Sequence, residues 1–127
     1  MPCIKAHTAD AAIRGNRIVA FHASKQAAIE GASNTAALIG VATLPGAAVG
    51  GVVDVVQHGP AEVVLGGNLD RGALVTSDDQ GRAVALPAPA AAAKTVRTIG
   101  QIQLSGVEGD IVPIIVSAGA VYVPASS

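Results

Sequence analysis

The residues that could carry out chemistry in this chain of 127 residues are few and widely spaced. The chain has three histidines, His7, His22 and His58, and one cysteine, Cys3. None of these residues forms a His-x-His or Cys-x-x-Cys pair, whereas a structural zinc site needs four ligands at recognisable spacing. We therefore expect no metal site, and a set of ligands remote in sequence that includes Cys3 stays open as the alternative.

The acidic and nucleophilic residues form no catalytic motif either. Asp78 and Asp79 are adjacent, and on a strand they would point to opposite faces, which is poor geometry for an acid–base pair. In the segment Asp78–Gly81 they are expected to cap backbone N–H groups of a tight turn with one residue at positive φ. The sequence has no Gly-x-Ser-x-Gly elbow, and no lysine follows the glycines of Gly46–Gly51, as a phosphate loop requires. We predict a non-enzymatic protein without a cofactor.

The composition argues against several other classes of protein. The net charge is −1, and the 8 Lys and Arg residues form no basic run, so nucleic-acid binding is not expected. One cysteine cannot form an internal disulfide, and no apolar stretch follows the N-terminal charge as in a signal peptide. Gly31–Val53 is uncharged and long enough to cross a bilayer, but its Pro, Gly and polar residues argue against a membrane span.

Short apolar runs separated by turn residues dominate the sequence after Asn16. Most have about 5–7 residues and are rich in β-branched side chains, which indicates strands. We predict an all-β fold, either a small β-sandwich or a β-barrel-like domain. Without Trp, and with one Phe and one Tyr, its core should be thin and its contact surfaces flat. The predicted strands are Arg17–His22, Ala37–Ala42, Val52–Gln57, Ala61–Leu65, Ala73–Ser77, Arg82–Leu86, Val96–Leu104, Ile111–Ser117 and Ala120–Val123.

Three connecting segments are predicted to be irregular. Ser24–Ala32 and the alanine-rich Pro89–Lys94 should be loops or at most one helical turn, because isolated helices this short are marginal. His58-Gly59-Pro60 should form a turn between two strands.

The chain divides into an arm and one domain. Residues 1–15 are polar and irregular and are predicted to form an extended N-terminal arm, whereas residues 16–127 form a single β-domain. Within that domain, pseudo-repeats at about 16–60 and 70–120 predict an internal two-fold repeat. The repeat aligns Ile18 with Leu74, Gly40 with Gly100, and Val52 with Ile111.

Two residues interrupt corresponding apolar runs of this repeat. Asp54 lies within the first run, and Pro113 lies at nearly the same place in the second. Charges and prolines discourage pairing at sheet edges, so both strands are candidates for edges. The alternative is that Asp54 faces solvent on an alternating strand.

The order of motifs from Arg17 to Gly119 resembles that of the capsid decoration proteins of tailed phages, also called cement or head-stabilising proteins. The phrase Gly72–Val84 places Ser-Asp-x-x-Gly between two short strands. It is followed by an Ala/Pro-rich loop at Leu86–Lys94, an Ile99-Gly100 strand and a Gly-Asp turn that leads into Gly109–Val112. The N-terminal arm departs from the Lys- or Asn-rich start that is common in that family.

This resemblance implies a structural protein on the capsid exterior of a virion, made in the host cytoplasm. Such a protein binds the major capsid protein, commonly as a homotrimer at three-fold and quasi-three-fold sites, and stabilises the shell. Because an extended arm can add a strand to a neighbouring sheet, capsid contact is placed on Pro2, Cys3, Ile4, Lys5, Ala6 and His7.

Two other classes of function remain as alternatives. The first is a virion fibre-base or host- or glycan-attachment module, although sugar sites usually use exposed aromatic platforms and only Tyr122 is available. The second is a small enzyme or peptidase subunit, for which no nucleophile and base can be paired.

Deletion of Met1–Asp10 is the direct test of the arm. We expect the truncated protein to keep its fold but to bind capsids more weakly, because the arm lies outside the predicted domain. Sedimentation with capsids and circular dichroism would measure the two effects. A folded truncated protein with full capsid binding would refute the prediction.

Overall fold

The structure is a computed structural model that describes residues 3–22, 27–33, 36–86 and 94–123. These residues form eleven strands and no helix, so the all-β prediction is confirmed. None of them lies in a helix that is long and apolar enough to cross a membrane. The strands are β1 (Cys3–Thr8), β2 (Ile13–Arg14), β3 (Ile18–Phe21), β4 (Ala28–Glu30), β5 (Leu38–Ala42), β6 (Gly46–Ala47), β7 (Val52–Val64), β8 (Leu74–Ser77), β9 (Ala83–Ala85), β10 (Lys94–Ile102) and β11 (Ile111–Val123).

Nine of the strands formed by the described residues make one antiparallel sheet, which curls into a half-barrel. Its order is β4-β3-β5-β7-β11-β10-β8-β9, and β1 pairs with β7 as an additional strand. The strands β2 and β6 form a separate two-stranded sheet. The long strands β7 and β11 therefore lie at the centre, and pair through His58–Val64 and Ile111–Ser117.

Aliphatic side chains fill the core on the inner face of the curled sheet. The main cluster brings together residues from both halves of the chain, including Ile18, Val63, Ile102 and Ile114, all fully buried. Phe21, the one phenylalanine of the sequence, is 52% exposed. No buried side chain of the described residues is aromatic, in agreement with the predicted lack of large aromatic groups in the core. A smaller cluster contains Ala9, Ile13, Val19, Ala28, Ile39, Ala42, Val53 and Val55.

The two central strands are longer than the sequence predicts. Each has 13 residues, whereas we expected each of them to be two short strands separated by a break. The prediction of a turn at His58–Pro60 is wrong, because this segment stays extended and pairs with Ile115–Ser117. Gly59 takes φ 110°, a conformation that glycine adopts without steric cost, and the pairing with β11 overrides the local turn preference.

Two segments predicted to be irregular contain strands. Ala28–Glu30, within the predicted loop Ser24–Ala32, pairs with Val19–Phe21 of β3. Residues 3–8 of the predicted arm are β1, paired along β7. In both cases a neighbouring strand supplies hydrogen bonds that local sequence patterns do not reveal. The predicted loop at Pro89–Lys94 lies outside the described residues except for Lys94, which begins β10.

Asp54 and Pro113 do not mark sheet edges, contrary to the first of the two interpretations. β1 and β5 both pair with Val55 of β7, so Asp54 lies on an internal strand. Its side chain is exposed, in agreement with the alternative that it faces solvent. Pro113 lies between β7 and the end of β10, where Gln103, just beyond Ile102, donates its N–H to the Pro113 carbonyl at 3.0 Å and only the return bond is missing. A missing N–H is therefore tolerated there.

The turn between β8 and β9 confirms the predicted capping for Asp78, and the same role for Asp79 stays a prediction. Asp78 Oδ1 accepts hydrogen bonds from the backbone N–H groups of Gln80 at 2.9 Å and Arg82 at 2.8 Å. Gly81 takes the expected positive φ, 72°. Asp78 is thus a capping residue of this turn, as the sequence indicates.

The sheet continues with three strands on each side of the β7–β11 pair, and the two sets follow the same pattern of chain order. β5, β3 and β4 follow on one side, and β10, β8 and β9 follow on the other. Val19 pairs with Gly40 as Val75 pairs with Gly100. The internal repeat stays a prediction, which superposition of the two halves would test.

Gly40 and Gly100 are aligned in the predicted repeat and meet the same kind of neighbour. A Cβ atom on Gly40 would collide with the carbonyl oxygen of Val56, and one on Gly100 would collide with that of Ile115. Each glycine therefore lets an inner strand pass close to the backbone of β7 or β11.

We expect Gly40→Ala and Gly100→Ala each to lower the free energy of unfolding by about 1–3 kcal/mol, because the added methyl group must displace backbone. Gly67→Ala is the matched control, since a Cβ there would meet no atom within 4 Å. Urea denaturation would measure the difference. Equal stability of the Gly67 and Gly100 variants would contradict the close approach.

Candidate functional site

The residues predicted to contact a capsid lie on β1, at the margin of the sheet. Cys3, Ile4, Lys5 and Ala6 are exposed, and His7 is half-buried; Pro2 lies outside the described residues. The structure therefore brings five of the six predicted residues together on one accessible strand. Their role in binding stays a prediction.

His7 has a structural environment of its own. Its Nε2 atom forms a 2.9 Å hydrogen bond with Oε1 of Gln57 on the neighbouring strand β7. Its ring also lies edge-on to Phe21, with ring centroids 6.1 Å apart. These contacts hold His7 against the sheet, so Ile4, Lys5 and Ala6 are the more accessible side chains.

The backbone of β1 has one side bonded and one side open. Thr43 donates its N–H to the carbonyl of Asp54, so Asp54 points toward β5 and Val53 and Val55 point toward β1. Because hydrogen-bonding groups alternate along an antiparallel strand, Lys5, opposite Val55, bonds to β7. Ala6 then presents its N–H and C=O outward, where no strand of the described residues pairs with it.

A groove of about 500 Å³ lies beside β1. Its apolar wall contains Ile4, Leu44, Val56 and Pro60, and its polar groups include Glu62. Ile4 is 53% exposed and Leu44 is 69% exposed. These apolar side chains at the mouth of an open groove fit a protein partner that inserts an apolar side chain.

Sequence patterns did not identify the far wall of this groove. Leu44 lies in the uncharged segment Gly31–Val53, and Pro60 lies in the predicted turn His58–Pro60. The sequence did contain one indication of this wall. Leu44 is a large apolar residue beside Pro45 in a turn, where its side chain is not expected to be buried. The approach of Ile4 to Pro60 depends on the pairing of β1 with β7 and could not be read locally.

A charged network joins the two halves of the chain at another part of the surface. Arg14 donates from its backbone N–H and its Nε to Oε2 of Glu30, at 2.8 and 3.0 Å, and from Nη2 to Oε1 at 2.9 Å. Arg17 donates to the carbonyl of Gln80 at 3.0 Å. Arg82 binds Asp78 at 2.7 Å and Glu108 at 3.4 Å. Arg14 Nη2 also donates to the carbonyl of Gln80 at 3.4 Å. The Arg14–Glu30 pair is thereby connected with the β8–β9 turn.

The ionisable groups of this network serve the fold. Burial by itself would raise the pKa of the Glu30 carboxyl, but the hydrogen bonds from Arg14 outweigh it and hold the pKa below its usual range. Burial, and next the charge of Arg14, lower the pKa of Arg17. Within the described residues, no three His, Cys, Asp or Glu side chains are grouped so that they could hold a metal ion.

The Arg14–Glu30 pair should make stability depend on acid pH. Because the pKa of Glu30 is lower in the folded state, the pair stabilises the fold above the unfolded-state pKa of about 4.3, and this contribution is lost as pH falls through the folded-state pKa. Urea denaturation between pH 7 and pH 3 would measure it. Glu30→Gln should remove this acid-dependent part, and Arg14→Ala should remove or reverse it, because burial by itself raises the pKa of Glu30. Unchanged pH dependence in both variants would contradict the assignment.

Comparison with known proteins gives a similar solved structure to set beside this geometry. No protein-family model and no curated protein matches the sequence. The head fiber gp8.5 N base of bacteriophage phi29 has a similar fold, with a TM-score of 0.66 and 18% sequence identity. The similarity covers 92% of this chain and 95% of that one. At this level of identity the two proteins share a fold.

Proposed function

We propose that this chain is a structural protein of a phage virion that binds the outside of the capsid and stabilises the shell. The observation that carries the proposal is the fold shared with the head fiber base over nearly the whole of both chains. The resemblance of the Arg17–Gly119 segment to decoration proteins supports the same class of function. The proposed arrangement is a homotrimer at three-fold and quasi-three-fold sites, in contact with the major capsid protein.

The contact with the capsid is proposed to involve the groove beside β1. An apolar side chain of the major capsid protein would enter between Ile4 and Leu44, which are both more than half exposed. Burying one such side chain contributes about 1.5–3 kcal/mol, which is a weak contact for a single copy. Three copies held in one trimer would bind much more tightly through effective concentration.

A fibre base is the second candidate function, because the similar structure is itself the base of a head fiber. Both functions need attachment to the capsid, and they differ in the consequence of binding. A decoration protein raises the resistance of the shell to heat and to internal pressure. A fibre base carries a projecting fibre and leaves the resistance of the shell nearly unchanged.

The proposed function is non-enzymatic and uses no cofactor. The carboxylates with resolved partners are engaged in structural contacts, as Asp78 is in its turn and Glu30 is with Arg14. The predicted partners, a capsid protein and further copies of the chain, are recognised by shape and backbone groups. Neither kind of recognition requires a reactive side chain.

The groove is tested with Ile4→Ser and with Leu104→Ser as its matched control, since both residues are 53% exposed. The proteins are mixed with undecorated expanded capsids of the cognate phage and sedimented. We expect Ile4→Ser to weaken each contact by about tenfold, the equivalent of about 1.4 kcal/mol, and Leu104→Ser to bind like the wild type.

Each outcome of this experiment decides one point. If the wild-type protein does not sediment with capsids, the proposed function is wrong. If Ile4→Ser and the wild type bind equally, the capsid contact lies elsewhere on the surface. A rise in the temperature of shell disruption on binding supports a decoration protein, and no change supports a fibre base.

The structure argues against the expectation that a chain without Met1–Asp10 keeps its fold. Ala9 is 1% exposed, packs in the smaller core cluster, and exchanges backbone hydrogen bonds with Gly50 and Gly51. Deleting Met1–Asp10 therefore removes part of the core as well as β1. Substitutions on the exposed face of β1 separate binding from folding more cleanly.

A further inference from the structure

Asn16 is a buried polar residue in the wall of the groove beside β1. It is 8% exposed and is one of the residues that line the groove. Its backbone is engaged, because its N–H donates to the carbonyl of Ala42 and its carbonyl accepts from the N–H of Val64. Its carboxamide makes no hydrogen bond with any described residue. A buried polar group without a partner is unfavourable, so this carboxamide is expected to bind a group that enters the groove.

The left-handed backbone of Asn16 does not require the carboxamide. Its φ is 62°, in a region that glycine adopts without steric cost and that asparagine adopts more readily than most other residues. Glycine at this position would keep both backbone hydrogen bonds. The fold therefore uses the backbone of Asn16, and the buried carboxamide is left for another use.

Glu62 adds unpaired backbone groups to the same part of the groove. The N–H of Leu65 points toward β11, whereas the N–H of Val64 points toward Asn16, on the opposite side of β7. Because hydrogen-bonding groups alternate along a strand, Glu62 presents its N–H and C=O on the side of Asn16. On that side the pairing of β5 with β7 stops at Val56, so no strand of the described residues takes up these groups.

An extended peptide is the ligand that complements these groups. A carboxamide has one acceptor and two donors, so it can bind the N–H and the C=O of a peptide backbone together. The free N–H and C=O of Glu62 can bind the same backbone as a neighbouring strand would. The exposed side chains of Ile4 and Leu44 then accept one apolar side chain of the peptide.

The charge of the groove favours a basic residue in the peptide. Among the described residues that line the groove, Glu62 is the one ionisable residue, and it is exposed. No salt bridge within the described part of the chain involves its carboxylate. Complementary charge on the partner would be a Lys or Arg close to the apolar side chain.

We propose that the groove binds an extended segment of the major capsid protein that carries a Lys or Arg next to an apolar residue, and that Asn16 and Glu62 hold the backbone of this segment. The proposal rests on the proposed function, and it adds the form of the partner and the residues that recognise it. The apolar side chain of the segment lies between Ile4 and Leu44, and the basic side chain lies at the Glu62 carboxylate.

Asn16→Gly tests the carboxamide, because it removes the side chain and keeps the positive φ. Asn68→Gly is the matched control, since Asn68 is exposed and does not line the groove. In sedimentation with capsids, we expect Asn16→Gly to weaken each contact by about tenfold, as the loss of one or two hydrogen bonds predicts, and Asn68→Gly to bind like the wild type. Urea denaturation should find Asn16→Gly no less stable than Asn68→Gly. A loss of stability together with unchanged capsid binding would assign the carboxamide to the fold and overturn the proposal.

The form of the partner is tested with overlapping short peptides that cover the sequence of the same capsid protein, with binding measured by fluorescence anisotropy. We expect one peptide with a basic residue beside an apolar one to bind the wild type, and to bind Asn16→Gly about tenfold more weakly. Methylation of its backbone nitrogens, one at a time, should weaken binding at the positions that face Asn16 and Glu62. Binding should also weaken as salt rises, and Glu62→Gln should lose most of this salt dependence.

The outcomes separate this proposal from the proposed function. If the wild-type protein does not sediment with capsids, the proposed function fails and this proposal fails with it. If the protein sediments with capsids but binds no peptide, the proposed function stands and the groove does not take an extended segment. A peptide that binds equally well to the wild type, Asn16→Gly and Ile4→Ser lies elsewhere on the surface, and binding that no backbone methylation weakens excludes recognition of the backbone; either result overturns the proposal.

Discussion

The antiparallel pairing of β7 with β11 is the interaction on which the rest of the structure depends. These two strands have 13 residues each and pair through seven positions, from Ile111–Val64 to Ser117–His58. Every remaining strand of the large sheet is attached to one of them directly or through one or two intervening strands. The core forms because the inner face of this pair meets β3, β5, β8 and β10 as the sheet curls. No aromatic side chain of the described residues lies in that core, and stability rests on many small aliphatic contacts across the two halves.

The central pair also leaves strand edges open. The two strands overlap along only part of their length, so each has a half that the other does not cover. β1 occupies the free half of β7, at Val52–His58, and the free half of β11 has β10 on one side only. Partial overlap therefore explains both the marginal position of β1 and the exposed backbone of Ala118–Val123. Strand register thus decides which backbone groups stay accessible.

This arrangement suits the proposed function, which is based on contact and needs few reactive residues. The charged residues that are engaged, such as Arg14 with Glu30 and Arg82 with Asp78, fasten turns and strands to each other. The exposed apolar residues lie at a groove and along strand faces. The proposed role in a virion needs rigidity and surfaces that repeat from copy to copy, and a curled sheet with defined edges would supply both.

The sequence by itself determined the fold class, most strand positions and the chemistry of the Asp78–Gly81 turn, because alternating apolar residues and turn residues act over a few positions. It also aligned Gly40 with Gly100 in the predicted repeat, although it did not show what the two glycines contact. Only the tertiary structure decided that His58–Pro60 continues a strand, that Ala28–Glu30 forms one, and that Asp54 and Pro113 lie inside the sheet. Each of these depends on which strand lies alongside, and pairing between residues distant in sequence supplies hydrogen bonds that outweigh local preference. The groove at Ile4 and the open edge of β11 are set by register for the same reason.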